Sequence, residues 1–489
     1  MVKWKYSKPM SKIQSISLVG YPADYFFEFS CAMEKANFSI YWICHRHSDA
    51  MHLRSLDVPE DRILDVIKEV ELLQKGGDSA YRRLDNDTLK AIEDAGKITI
   101  AQMTDMDRFM KAADPNNTLD FMACYLSILH DFAKARQIDL FSSWRDTALQ
   151  VGAFCVGEYL SIPFVVPTRM RIPSERFGFC EGLSTYNFIF GLNENNDKAN
   201  ITYAEEVVSQ VANKKAKPPI GIVKDGLLSK VKLLPENARA FFGEMKKKQY
   251  DRGNMMTTHS LRYLIGLYLT KLYWGLRYSR MVKPSSGSEL KKPYVLYLIH
   301  QQPESSVDVE AAAYSNQLET IKLFSRMIPY GYQLAVKVHI VSSDSQPPTF
   351  YKTISELPNT VLLHHSVDAL DAIRNADLLL GLTGTFCFEG ALLGKRSITL
   401  AKNHFNHFPG SVYCDDSTKL PALMRDALQE QKKNKNFQDE NLAMLKKLFA
   451  TTFDGEVSRN YGSNPARLNE TDLKNLIDAY HALAAHYDR

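Results

Sequence analysis

Residues 359–400, NTVLLHHSVDALDAIRNADLLLGLTGTFCFEGALLGKRSITL, constrain the fold of this chain more than any other stretch. Residues 361–363 and 378–380 are apolar runs of strand length, of the kind buried on both faces of a parallel sheet. Between them 367–374 has helical spacing. After the second run, Gly381-Leu382-Thr383-Gly384-Thr385 leads into a helix-compatible 386–393 and a further short strand at 397–400. A Gly/Thr turn from a strand's carboxyl end into a helix presents unpaired N–H groups and the positive end of a dipole. Phosphate is the natural guest there. The stretch reads as a phosphate cradle.

The same alternation of strands and helices runs through both halves of the chain. In the first half we expect strands at 13–19, 38–44, 98–102, 138–141 and 161–166, with helices at 25–36, 60–73, 87–94, 119–136 and 147–159. The glycine that ends the first strand, Gly20, stands alone, so no dinucleotide fingerprint is present. After a Pro/Ser/Gly/Lys linker at 283–293 come strands at 294–299 and 333–339, a long helix at 307–328, and helices at 419–430, 440–450 and 470–486. Such alternation predicts parallel, doubly wound layers. At 489 residues the chain exceeds one ordinary core. We divide it into a first domain at 1–205, a basic-aromatic connecting segment at 206–292, a second domain at 293–465 and a final crossing helix at 466–489.

A net charge of +4 argues against a dedicated nucleic-acid binder. Seven scattered cysteines without a CxxC pair read as free thiols in a reducing compartment. The first residues show no apolar leader, and no stretch reaches spanning length without charges, so a cytoplasmic location is expected. Residues 246–292 change character: eleven Lys/Arg face only Asp251 and Glu289, and the middle is crowded with Leu, Tyr and Trp. Two readings stand side by side. One is a helix buried between domains; the other is peripheral contact with an anionic membrane. Residues 169–182, with Arg169, Arg171 and Arg176, read as a loop, either a solvated connection or a basic lip over an anionic ligand.

Candidate binding residues cluster where strands of the second half end. Lys337 and His339 share one face of a strand and suit a phosphate charge. Glu389, one turn after Thr385, can accept hydrogen bonds from both hydroxyls of a ribose whose phosphate rests on Thr383, Gly384 and Thr385; a capping or surface glutamate is the competing account. His300, Gln302, Glu304 and Ser305 follow the first strand of this half on the same rim, and His364 follows the third. In the first half Asp24, His45 and His47, with Arg145 and Asp146, lie on the corresponding rim. The resemblance named below implies that the catalytic group comes from there, with Asp24, His45 and His47 as its leading candidates. Spacing does not choose among them. No histidine spacing argues for zinc, so no metal ligand is assigned.

Three ordered motifs carry a resemblance: His300 to Ser305 (HQQPES), Lys337 to Ile340 (KVHI) and Thr383 to Glu389 (TGTFCFE). They resemble the capsular and surface polysaccharide glycosyltransferases of Gram-negative bacteria, in the group containing the Kdo transferases of capsule assembly. Ile340 stands where proline is usual in that family. The resemblance implies an α/β fold of GT-B type, with two Rossmann-like doubly wound domains facing a central cleft and a C-terminal helix crossing back. It implies a nucleotide-sugar donor, foremost a CMP-activated ulosonic acid such as Kdo, held by the second domain, and a capsule polysaccharide, lipopolysaccharide or other glycolipid acceptor entering from the first. No metal or other cofactor is expected, because helix N-termini, lysine and histidine can neutralise the leaving phosphate. A nucleotide-sugar epimerase and a non-catalytic assembly or export partner are the alternatives.

Overall fold

The computed structural model describes residues 12–170, 172, 175–193, 197–213, 261–284, 287, 290, 293–339, 345–433, 438–455, 457 and 468–489. Arg171, Ile340 and much of the 206–292 segment lie outside the described residues.

The first sheet holds β1 (Ser15–Val19), β2 (Ser39–Cys44), β3 (Ile63–Asp65), β4 (Leu140–Ser143), β5 (Phe164–Arg169), β6 (Arg176–Glu181) and β13 (Phe453–Asp454), in the order β13-β6-β5-β4-β1-β2-β3. β1 to β5 are parallel, whereas β5–β6 and β6–β13 are antiparallel. The second sheet is wholly parallel and holds β7 (Tyr294–Leu298), β8 (Gln333–Lys337), β9 (Thr360–Leu363), β10 (Leu378–Gly381), β11 (Ser397–Thr399) and β12 (Ser411–Tyr413), in the order β12-β11-β10-β7-β8-β9. Its central strands β7, β8 and β10 are the Val/Leu/Ala-rich runs of the sequence, buried almost throughout because helices cover both faces. Two doubly wound sheets, joined by a helix that crosses back, form the α/β GT-B arrangement.

The chain returns to the first domain before its last helix, and so before 466. Phe453–Asp454 already pairs with β6. The helix Glu470–Tyr487, capped by Asn469, then lies on the first core. Tyr480 packs on Phe29 and Phe179 at 5.5 and 5.1 Å, and its hydroxyl meets Ser142 Oγ at 2.5 Å. The helix Asp197–Ala212 runs through the expected 205/206 boundary. Ala204, Val207 and Val211 belong to one apolar cluster with Phe388, Leu445 and Phe449 of the second domain.

Several local expectations are corrected. Residues 98–102 start a helix, Ile100–Asp105, because Thr99 and Gln102 close a capping box that outweighs a short apolar alternation. The strand β3 interrupts the helix expected at 60–73, and the helix expected at 307–328 breaks into Ser305–Asp308 and Gln317–Met327, the latter capped by Asn316. Residues 169–182 are mostly a β-hairpin rather than a loop. Gly178 is a strand residue beside the Phe188 ring, where a Cβ would collide.

Candidate functional site

In open α/β sheets ligands bind beyond the carboxyl ends of the strands where the strand order reverses. In the second sheet that point lies between β7 and β10. β7 runs out into His300, and β10 into the Leu382–Thr385 turn that starts the helix Thr385–Leu392. The two are joined: the Leu382 N–H donates to His300 Nε2 at 3.2 Å, and Thr383 Oγ1 donates to the Ser306 carbonyl at 2.8 Å. A Cβ at Gly384 would strike the Phe386 ring and come within 3.0 Å of His300 Cε1, so this turn needs glycine. The first N–H groups of the helix have no preceding turn to accept them. Burial, followed by the nearby His339, pushes the His300 pKa down to about 3. The ring is therefore neutral, Nε2 accepts, and Nδ1 carries the proton.

Two charged groups of this domain, Lys337 and Glu389, are buried, and the exposed Asp368 acts on both. Lys337, at the end of β8, is buried and donates to the Val338 and His365 carbonyls at 3.3 Å each. Burial lowers its pKa to about 8, with Asp368 opposing. Glu389 is buried, and burial, reinforced by Asp368, raises its carboxyl to about 7. Among the described residues no hydrogen bond is donated to the Glu389 carboxylate. Burial, then Lys337, lowers His339 as well. His364 Nδ1 pairs with Ser366 Oγ at 2.8 Å, and its ring stacks on Tyr278. Asp368, which caps the next helix and faces both Lys337 and Glu389, escaped the sequence reading; its cap pattern was the available signal.

Other expected members of the site do structural work. Gln302 Nε2 donates to Asp308 and to the Ser315 carbonyl, and Gln302 Oε1 accepts from Gln317. Gln317 is the hub that sequence reading missed: it also bonds the His300 N–H, the His300 carbonyl and the Tyr297 hydroxyl. Glu304 occupies the cap position of the short helix that Ser305 begins, its N–H donating to Asp308. Arg176 is not part of a basic lip. It is buried and holds the returning chain, with Nε on Thr452 Oγ1 at 2.8 Å, Nη1 on Asp454 at 2.7 Å, and Nη2 on the carbonyls of Phe449 and Thr452. Arg169 ends β5.

The first sheet reverses between β1 and β4. Asp24 is exposed in the first turn after β1. His45 is packed edge-on against Tyr125 at 6.0 Å beside Gly20, and burial, then Arg46, holds its pKa down near 3. His47 Nδ1 meets Asp65 at 2.7 Å, and Asp65 also accepts from Arg54. After β4, Arg145 Nε donates to Glu310 of the second domain at 3.0 Å, and Thr185 donates to the other Glu310 oxygen at 2.9 Å. The same loop holds three buried polar atoms, Trp144 Nε1, Arg145 Nη1 and Thr147 Oγ1, with no hydrogen-bond partner among the described residues. Glu310 leads straight to the cradle: its N–H donates to the Ser305 carbonyl, beside the Ser306 carbonyl that holds Thr383. Among the described residues no group of three or more His, Cys, Asp or Glu could hold a metal ion.

No family model and no curated protein matches the chain. Similar solved structures include a UDP-GlcNAc 2-epimerase from Methanocaldococcus jannaschii, 11% identical over 96% of this chain and 99% of that one, TM-score 0.22. The spinosyn rhamnosyltransferase SpnG complexed with thymidine diphosphate is 11% identical over 90% and 96%, TM-score 0.27. The beta Kdo 2,7 transferase of Thermosulfurimonas dismutans KpsC is 10% identical over 72% and 89%, TM-score 0.35. At these scores the fold assignment rests on the strand orders given above.

Proposed function

We propose that this protein is a glycosyltransferase that takes a sugar from a nucleotide-sugar donor held by the second domain, foremost a CMP-activated ulosonic acid such as Kdo. The acceptor is a surface polysaccharide or glycolipid. The observation that carries this reading is the buried Glu389 side chain, without a hydrogen-bond donor among the described residues, one turn inside a helix whose amino end opens at a strand-order reversal. A phosphate on the Thr383–Thr385 turn meets N–H groups and the Lys337 cation, and the ribose hydroxyls supply the donors Glu389 lacks. His300, neutral with its proton on Nδ1, adds a donor without adding charge.

A CMP-ulosonic acid carries two anions, a phosphate and a sugar carboxylate. The unsatisfied donors Trp144 Nε1, Arg145 Nη1 and Thr147 Oγ1 across the cleft offer the second anion a match. Departure of CMP breaks the bond from the anomeric carbon to the phosphate oxygen, and the negative charge that grows on the phosphate is held by Lys337 and the helix end. An acceptor hydroxyl then bonds to the anomeric carbon and gives up its proton to a first-domain base. Asp24 is our choice for that base, with His47, oriented by Asp65, as second. The reaction would take place in the cytoplasm, on the inner side of the membrane.

The test is donor consumption followed by mass spectrometry, for wild type and Glu389→Ala, after thermal-shift screening with CMP, UDP and TDP. A CMP-selective shift with sugar transfer supports the proposal, and Glu389→Ala should lose most donor binding. Conversion of the donor to an isomer without acceptor would make the protein an epimerase. No shift with any nucleotide would overturn both readings.

A further inference from the structure

The helix Leu261–Met281 carries a face that the reaction does not use. Leu269, Leu272, Tyr273 and Leu276 recur at i, i+3, i+4 and i+7, so they form one stripe along the helix. All four are exposed, by 57, 38, 57 and 47%. On the opposite side Tyr278 and the following Val282 are buried and hold the helix to the second domain. The Tyr278 hydroxyl lies 3.0 Å from His365 Nδ1, and its ring packs on Tyr351 and His364 at 4.9 and 5.7 Å. Four large apolar side chains aligned in water differ from the scattered exposed leucines of an ordinary surface and mark an interaction face.

Charge selects the partner. The helix contains Arg262, Lys271, Arg277 and Arg280 and no acidic residue, and Lys283 follows it. Arg277 and Arg280 are exposed beside the stripe. A second copy docking stripe to stripe would bring these cations together, which opposes a symmetric dimer. An anionic lipid surface takes both features at once: leucines enter the acyl boundary, tyrosine sits at headgroup level, and arginines meet phosphates. Among the described residues no helix is long and apolar enough to cross a membrane. The geometry points to a helix lying in the plane of the bilayer.

We propose that Leu269, Leu272, Tyr273 and Leu276, with Arg277 and Arg280, form a docking face for anionic phospholipid. Docking there would also fix the orientation of the cradle, because Tyr278 touches His364 and His365 and the His365 carbonyl accepts from Lys337. The inference is independent of which nucleotide the second domain binds.

The full chain should sediment with vesicles of equal phosphatidylglycerol and phosphatidylcholine, bind pure phosphatidylcholine far more weakly, and lose affinity as salt rises. One basic side chain at such a surface is worth about fivefold in affinity, so Arg277→Gln with Arg280→Gln should weaken binding by about twenty-five-fold. Tyr273→Glu with Leu276→Glu should abolish it. The substituted side chains are exposed, so nucleotide thermal shifts should be unchanged, which separates failure of this proposal from failure of the nucleotide reading. Equal binding to both vesicle types, or full binding by the Glu variants, would overturn the proposal. So would a wild-type dimer that those variants dissociate.

Discussion

Glu389→Gln should make the empty protein more stable, and bound nucleotide should narrow that advantage. Burial carries the Glu389 carboxyl from 4.5 to about 7, which corresponds to about 3 kcal/mol against ionisation in the folded state. A carboxyl whose folded pKa is raised imposes no penalty below its unfolded value. The penalty develops between pH 4.5 and about 7 and is complete above that. Glutamine never ionises, so the variant's advantage in unfolding free energy should grow by about 3 kcal/mol across this window. Urea unfolding followed by circular dichroism at several pH values, without nucleotide, measures that growth directly. Added nucleotide should narrow or cancel that advantage, because loss of a charged hydrogen-bond acceptor costs about 1.5–3 kcal/mol of binding. A pH-independent difference between variant and wild type would refute the idea that a buried charge is kept in waiting for a ligand.

Nucleotide affinity should peak between pH 7 and 8, since Glu389 must be ionised and Lys337, at about 8, must still be charged. Lys337→Arg should remove the alkaline limb of a calorimetric pH profile, and an unmoved limb would separate Lys337 from the phosphate. Asp24→Asn should lower kcat by about 100-fold or more with nucleotide Kd unchanged, checked by steady-state assay and calorimetry. Glu310→Ala strands the buried Arg145 charge and should cost about 3–5 kcal/mol in denaturant unfolding, with Glu310→Gln milder. Arg176→Met should destabilise by about 3 kcal/mol or more while leaving nucleotide Kd unchanged; weaker nucleotide binding would return Arg176 to the ligand side.

The second domain was largely legible because both-face burial writes itself into sequence as unbroken apolar runs. The 378–380 run became β10, and the Gly/Thr turn after it became the start of the helix Thr385–Leu392. Glu389 could be placed by counting one helical turn, but its burial and the electrostatic effect of Asp368, which comes from another loop, could not. Lys337 ends β8 as expected, whereas His339 lies two residues beyond the strand on whose face the sequence placed it. The hairpin at β5–β6 was hidden by Gly178, which serves packing rather than turning, and Arg176 looked like a ligand contact because its partners, Phe449 to Asp454, are remote in sequence. The Arg145–Glu310–Thr185 contact between domains was invisible for the same reason: no local pattern records which rim residues will face each other.

The most direct measurement is a crystal structure of the full chain soaked with CMP. Phosphate oxygens should lie within hydrogen-bond distance of the Thr383–Phe386 N–H groups and Lys337 Nζ, with both ribose hydroxyls on Glu389. Nucleotide bound elsewhere, with Glu389 still lacking a donor, would contradict this arrangement.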